Sequence, residues 1–238
     1  GGKIAVAGCR DASADMPERI AKYNYDYGVK LAEAGFVTFC PDARGFGERR
    51  EELARNDPFQ HCCQWLNNMA IPLGQTVIGM WVWDLHRLID YIETRRDCAP
   101  GRVGCAGLSG GGYQTLWAAA LDERIRCAVV SGFFYGARES ILDQHANCSC
   151  NYVPHFWEYA DMGDVAALIA PRPLLVETGT QDPLNGASGL KNVRSQVRVA
   201  GRAYRLVGAR ASLKHDIFEG GHCWHGVEAV PWLQRHLG

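Results

Sequence analysis

Short apolar runs alternate along the chain with longer segments in which apolar residues recur every three or four positions. The short runs predict strands, and the longer segments predict amphipathic helices. Strands alternating with helices are typical of an α/β fold with a mostly parallel central sheet and helices on both faces. The predicted strands are residues 4–7, 36–40, 103–107, 127–131, 174–178 and, at the sheet edge, 213–218. The predicted helices are residues 20–34, 75–95, 112–121 and 227–237.

Residues 133–163 interrupt this alternation, because they are rich in aromatic residues, His and Cys and follow no clear period. The segment comes directly after a predicted strand, where α/β proteins place functional loops. We interpret it as a small excursion over a site, within one domain that covers residues 1–238. Its aromatic residues are expected to wall a pocket or to fill a local core.

The composition is that of an ordinary globular protein, with 47% apolar and 21% charged residues among 238. The net charge of −1 argues against nucleic-acid binding, which needs a clustered excess of Lys and Arg. No apolar run reaches the ~18 residues of a membrane span, so we expect no membrane insertion. The ten Cys predict buried small side chains in a reducing compartment, and hence a cytoplasmic location. The chain begins Gly1-Gly2 without Met, which leaves an upstream signal sequence open.

The strongest local motif is Gly107-Leu-Ser-Gly-Gly111, which follows a predicted strand and precedes a predicted helix. A G-x-S-x-G elbow in this context exposes its Ser on a strained turn, so Ser109 is the candidate nucleophile. The N–H of Gly110, at a helix N-terminus, is the candidate donor to a developing oxyanion. The alternatives are an incidental Ser in a Gly-rich turn or a phosphate-binding loop, although the P-loop pattern is absent.

A Ser nucleophile needs a His to accept its proton. His222 lies in the loop after the last predicted strand, in Glu219-Gly-Gly-His222, which suits the order Ser, Asp, His along the chain. His225 lies three residues further in the same loop and is the competing candidate.

The third residue of such a triad should be an acid that follows a strand between the Ser and the His. Asp182 fits, because the apolar run 174–178 leads through a Gly turn to Asp182-Pro183. It could instead be a helix N-cap or an Asx-turn residue. Asp161 and Asp164 are alternatives, but both precede that strand.

The segment around residue 150 also contains metal-ligand residue types. His145, Cys148, Cys150 and His155 lie close together in sequence, but their spacing matches no zinc pattern. The neighbours Cys62 and Cys63 cannot easily ligate one ion together. We therefore expect no metal and no cofactor.

Four motifs together resemble the α/β-hydrolase superfamily, in the acetyl-xylan-esterase and dienelactone-hydrolase-like branch near the prolyl-oligopeptidase catalytic domains. The resemblance extends from about Tyr25 to the C-terminus, including Cys150-Asn-Tyr-Val-Pro-His155. It implies that Ser109 is the nucleophile, Asp182 the acid and His222 the base of a cofactor-free hydrolase of small esters. The motifs are Gly107-Leu-Ser-Gly-Gly, Pro41-Asp-Ala-Arg-Gly-Phe-Gly-Glu-Arg49, Gly179-Thr-Gln-Asp-Pro183 and Glu219-Gly-Gly-His222.

The N-terminus departs from this family, because only about twenty residues precede the first helix and no His-Gly oxyanion pair is present. In one interpretation residues 4–7 form the oxyanion strand, with an amide near Gly8 or Cys9 as the second donor. In the other, N-terminal strands are missing from the sheet. We favour the first, with Cys9 as donor, because a missing central strand leaves unpaired backbone on both neighbours.

The sequence thus predicts a serine carboxylesterase whose substrate is a small-molecule ester, chiefly a short acyl (acetyl) ester of a carbohydrate or other small alcohol. One alternative is a catalytically silent α/β-hydrolase fold that serves for binding. A serine peptidase is less favoured, because the peptidase relatives carry a large additional domain that restricts access. The oligomeric state is not indicated.

Overall fold

The structure is a computed structural model that describes residues 2–54, 61–144 and 148–238. The chain forms two compact units, one of residues 1–84 with 148–153 and the other of residues 85–147 with 154–238. The helices are α1 (Gly2–Val6), α2 (Met16–Tyr23), α3 (Tyr27–Glu33), α4 (Cys63–Ala70), α5 (Val77–Thr94), α6 (Gly110–Leu121), α7 (Met162–Ala167), α8 (Leu190–Leu206) and α9 (Ala229–Leu237). The strands are β1 (Val103–Leu108), β2 (Ile125–Ser131), β3 (Leu174–Gly179) and β4 (Leu213–Phe218).

The second unit is built on one parallel sheet with the strand order β1-β2-β3-β4. Every residue of β3 is buried, and β2 is buried except at Arg126, which explains their nearly continuous apolar sequences. Because all four strands are parallel, their carboxyl ends lie along one edge of the sheet. The loops that carry the candidate catalytic residues leave from that edge.

Helices cover both faces of the sheet at β1. A Cβ on Gly104 would lie 2.6 Å from Leu237 of α9, whereas Cys105 Sγ lies 3.4 Å from Thr115 Oγ1 of α6. Successive residues of a strand face opposite sides, so α9 and α6 lie on opposite faces. The predicted α/β class with a parallel sheet and helices on both faces is therefore confirmed.

The elements predicted from residue 75 onward are confirmed. The strands predicted at 103–107, 127–131 and 174–178 are β1, β2 and β3, and 213–218 is the edge strand β4. The helices predicted at 75–95, 112–121 and 227–237 are α5, α6 and α9.

The strand predicted at residues 4–7 is wrong, because this segment belongs to helix α1. The N–H of Ala7 donates to the carbonyl of Lys3, which closes a helical turn. Ala5 is buried in a small core with Met16 and Ile20 of α2. Contacts with this neighbouring helix therefore decide the conformation of a segment too short to show a period of its own.

Two further predictions in the first unit are corrected. Residues 36–40 form no strand, because no described strand pairs with them. The helix predicted at 20–34 is two helices, α2 and α3. They are separated at Asn24, whose left-handed backbone (φ 54°, ψ 43°) ends α2.

The excursion at 133–163 contains short helical turns and leads into α7, and residues 145–147 lie outside the described residues. Phe133, Phe134 and Tyr135 are buried, so this part fills a local core. None of the helices in the described part of the chain combines the length and apolar character that crossing a bilayer requires.

Candidate active site

Ser109 lies on a sharp turn between β1 and α6, with φ 58° and ψ −123°. It is one of three non-glycine residues with positive φ among the described residues. The turn depends on glycine, because a Cβ on Gly107 would lie 2.3 Å from the carbonyl carbon of Gly111. A Cβ on Gly112 would lie 2.7 Å from the backbone oxygen of Ser131. This strained strand–turn–helix geometry is the one that a nucleophile elbow requires.

Gly110 is the first residue of α6, directly after Ser109. Backbone N–H groups in the first turn of a helix have no acceptor within that helix, and the helix dipole favours negative charge there. The amide of Gly110 is therefore a chemically suitable donor to an oxyanion formed beside Ser109.

Asp182 follows β3 and is buried, with 2% of its side chain exposed. Its Oδ1 accepts a hydrogen bond from the N–H of Leu184 at 2.9 Å, which caps a short helical turn. Its Oδ2 lies 2.7 Å from Nδ1 of His222. The capping interpretation and the triad interpretation of Asp182 therefore both apply, with one carboxylate oxygen for each.

His222 lies in the loop between β4 and α9, and 19% of its side chain is exposed. Its ring packs against Gly132, where a Cβ would lie 2.9 Å from Cε1. The N–H of Ser109 donates to the carbonyl of Ser131, the residue before Gly132. Ser109 and His222 thus both contact the end of β2, and the structure brings together residues from three separate loops.

The competing base, His225, has a different partner. Its Nδ1 lies 2.7 Å from Oδ2 of Asp216, and its ring stacks on Phe218 at 4.3 Å between centroids. Beside it, Glu177 Oε1 accepts a hydrogen bond from the N–H of Gly226 at 2.9 Å. Burial raises the pKa of Glu177. These contacts hold His225 and Gly226 in place, directly after His222 in the chain.

The sequence pattern did not lead us to Glu177 and Asp216, the acids that lie beside His225. A signal was available, since Glu177 stands inside the apolar run Leu174-Leu-Val-Glu, and a buried acid needs a partner. Asp216, Glu177 and His225 place ligand-type atoms within 4.8 Å of one another. His225 pairs with Asp216, and Glu177 accepts the Gly226 amide through Oε1 alone.

The other acids considered for the triad have structural roles. Asp161 caps α7, and the side chain of Asp164 accepts a hydrogen bond from the N–H of Asp161, which together make a capping box. Burial raises the pKa of Asp161.

Cys9 is not retained as an oxyanion donor. Its N–H donates to the carbonyl of Ile4 at 2.9 Å, and the N–H of Gly8 donates to Ala5. The assignment depended on a strand at residues 4–7, and that segment is helical.

The cysteines include one cluster in the first unit. The Sγ atoms of Cys63, Cys148 and Cys150 all lie within 4.8 Å of one another. The four ligand-type residues noted together in the sequence are not all part of it. His145 lies outside the described residues, and His155 Nδ1 lies 2.9 Å from Glu158 Oε1.

Comparison with known proteins identifies relatives of the chain. It is 31% identical over 222 residues to "Putative hydrolase YtaP" of Bacillus subtilis (strain 168), a match covering 89% of this chain and 68% of that protein. It is 29% identical over 121 residues to "Carbohydrate esterase MZ0003" from an unknown prokaryotic organism, covering 44% of this chain and 28% of that protein. No protein-family model matches the chain.

Solved structures share the fold. A "putative acetyl xylan esterase" from Bacteroides fragilis superposes with a TM-score of 0.77 at 16% identity, over 99% of this chain and 68% of that one. A CE15 glucuronoyl esterase from Teredinibacter turnerae gives a TM-score of 0.69 at 20% identity, over 96% of this chain and 63% of that one. The chain therefore belongs to the same family as the putative hydrolase YtaP, and it shares the α/β-hydrolase fold of the acetyl xylan esterase and glucuronoyl esterase structures.

Proposed function

We propose that the chain is a serine carboxylesterase that hydrolyses short acyl esters, acetyl esters above all, of carbohydrates or other small alcohols. The observation that carries the proposal is the 2.7 Å hydrogen bond between Asp182 and His222, formed at the sheet edge where Ser109 stands on its strained turn. A buried carboxylate, an imidazole and a serine hydroxyl on three loops form the arrangement that acyl transfer uses.

We infer the following roles for these residues. Asp182 accepts the Nδ1–H of His222, which leaves Nε2 as the basic nitrogen. Nε2 takes the proton of Ser109 as Oγ attacks the ester carbonyl, and the Asp182 carboxylate stabilises the imidazolium. The amide of Gly110 donates to the oxyanion. His222 then protonates the leaving alcohol, and a water molecule, activated by the same imidazole, releases the acid from the acyl-enzyme.

The proposed substrate class is supported by the names of the similar proteins and by the side chains of segment 154–163. An acetyl xylan esterase, a carbohydrate esterase and glucuronoyl esterases are among the similar proteins. The segment 154–163 contains aromatic and polar side chains, with Phe156 in edge-to-face contact with Trp117 and Trp157, and with His155 paired with Glu158. Aromatic faces mixed with polar groups suit a sugar ring better than a long acyl chain.

A fluorophosphonate probe read by intact-protein mass tests the mechanism. Wild type should gain one adduct, Ser109→Ala should gain none, and the matched control Ser212→Ala should react as wild type does. A wild-type protein that remains unlabelled would favour the catalytically silent binding fold. Labelling that persists in Ser109→Ala would place the nucleophile elsewhere.

A further inference from the structure

The first unit contains a cluster of thiols that the proposed ester hydrolysis does not use. Cys63 is the first residue of α4, and Cys148 and Cys150 flank Ser149 on the segment 148–153. Cys63 Sγ lies 3.4 Å from Cys148 Sγ, and the three sulfur atoms are mutually within 4.8 Å. Cys63 is 1% exposed and Cys150 6% exposed. His61 Nδ1 lies 3.4 Å from Cys63 Sγ.

Contacts that do not involve sulfur bring these two segments together. Asn67 of α4 is fully buried, and its Nδ2 donates to the carbonyl of Ser149 at 2.6 Å. The hydroxyl of Ser149 donates to the carbonyl of Gln64 at 3.1 Å. The thiols are therefore placed by the fold itself, as preorganised ligands are.

The distances match tetrahedral coordination. With Zn–S bonds of about 2.3 Å and Zn–N bonds of about 2.0 Å, tetrahedral angles place sulfurs about 3.8 Å apart and a nitrogen about 3.5 Å from a sulfur. The separations of 3.4 Å between Cys63 Sγ and Cys148 Sγ and of 3.4 Å between His61 Nδ1 and Cys63 Sγ lie within about 0.4 Å of these values. The donors are soft thiols with an imidazole, the set that Zn²⁺ prefers in closed structural sites.

We propose that Cys63, Cys148 and Cys150 bind one Zn²⁺, or a divalent ion of similar softness, with His61 as the fourth ligand. His61 is exposed, stacks on Phe46 at 5.3 Å and is not part of the three-sulfur group, so coordination requires its ring to turn toward the sulfurs. The ion joins α4 to a segment that is 85 residues away in the chain. Its role is structural, because three thiolates and one imidazole fill a tetrahedral shell.

Two alternatives are less consistent with these contacts. Cys62 is not a ligand, because its sulfur accepts the N–H of Glu51 at 3.3 Å and faces the carbonyl of Gly45 at 3.7 Å. A disulfide between Cys63 and Cys148 would use two sulfurs and leave Cys150 buried beside it. A metal ion uses all three.

Metal analysis of the whole chain, purified under reducing conditions, tests this proposal. We expect about one equivalent of zinc in wild type. Replacing it with Co²⁺ should give thiolate-to-metal charge transfer and the visible bands of a tetrahedral ion. Cys63→Ser, Cys148→Ser and Cys150→Ser should each lose the ion, whereas Cys62→Ser and Cys98→Ser should retain it. His61→Ala should release zinc to a chelator faster than wild type does.

A measurement on wild type alone covers the case in which the variants fail to fold. A mercurial thiol reagent should release the zinc as it modifies the three clustered thiols, and a chelator should lower Tm. Metal-free protein, equal zinc loss in Cys62→Ser and Cys63→Ser, or an intact mass showing a Cys63–Cys148 disulfide would each overturn the proposal. None of these readouts depends on esterase activity.

Discussion

His222 Nδ1 and Asp182 Oδ2 lie 2.7 Å apart, although the two residues are separated by 40 positions in the chain. The Asp is almost completely buried, and its second oxygen is held by the N–H of Leu184. A carboxylate fixed at both oxygens cannot rotate away, so it holds the imidazole ring in one orientation.

We expect Ser109→Ala and His222→Ala each to lower kcat for a p-nitrophenyl acetate ester by at least ~10⁴-fold. The double variant should lose little more, because the two residues act along one path of proton transfer. Steady-state kinetics with active-site titration measure this.

The control for this experiment is His225→Ala. That ring pairs with Asp216 instead, so its loss should lower kcat by no more than about tenfold. If His225→Ala removes activity while His222→Ala retains it, the assignment of the base is wrong.

Gly132→Ala should displace the His222 ring. The added Cβ would lie 2.9 Å from Cε1 and 3.1 Å from Nδ1, at a position whose φ is +59°. A displacement of this kind costs ~10²-fold in kcat.

Gly208→Ala separates this contact from backbone strain, since Gly208 has φ +73° and nothing within 4 Å of its Cβ position. Both variants should lower Tm through the left-handed backbone, but only Gly132→Ala should lower kcat. Unchanged kcat in Gly132→Ala would contradict the proposed role of His222.

Acyl chain length should limit the rate. Each buried methylene stabilises the bound ester by only ~0.8 kcal/mol. In a short pocket a longer acyl chain clashes with the pocket wall instead. In a series of p-nitrophenyl esters, kcat/KM should therefore peak at acetate or propionate and decline by octanoate. Rates that rise steadily to dodecanoate would indicate a lipase-like pocket instead.

Stability should depend on pH through His215. Burial lowers the pKa of this imidazole to about 4, below its ordinary value of 6.5. As pH falls from about 6.5 to about 4, the unfolded chain binds a proton that the folded chain does not, so the free energy of unfolding decreases. The share due to His215 is about 2–3 kcal/mol at pH 4.5.

The variant His215→Gln isolates this contribution, since all other groups are common to both proteins. Denaturant unfolding at pH 7 and pH 4.5 should show a smaller loss of stability in the variant than in wild type. Equal losses would mean that the imidazole is protonated in the folded state as readily as in the unfolded state.

The sheet of the second unit was predictable because local signals agree with tertiary packing there. The small residues of β1 and the Gly-bounded Ser109 specify a strand and a tight turn before any contact is known. Asp182 and His222 were predicted in the same way, from loops that end parallel strands.

The first unit was harder to predict, because its local patterns are weak. Residues 4–7 are a run of four that suits a strand or a helix equally, and packing against Met16 decides between them. Asn24 divides a helix whose apolar spacing continues across the break. In the second unit, helix α8 was missed although Val193, Ala200 and Tyr204 follow helical spacing on its buried face.

The thiol cluster of Cys63, Cys148 and Cys150 shows a different limit of prediction from sequence. Spacing rules find ligands that are neighbours in sequence, and the expectation that no metal binds rested on such spacing. Cys63 meets Cys148 and Cys150 only after the chain has folded, so a sequence pattern could not reveal the set.

The attachment of the loop after His222 has a consequence for engineering. Glu177 and Asp216 face each other in the β3–β4 register and hold that loop through Gly226 and His225. These anchoring residues belong to the sheet and its adjoining loop, whereas Glu219, the first residue of the motif, and Cys223, directly after it, take no part in these contacts. Directed evolution of substrate preference can therefore randomise positions 219 and 223, provided that 177 and 216 stay constant.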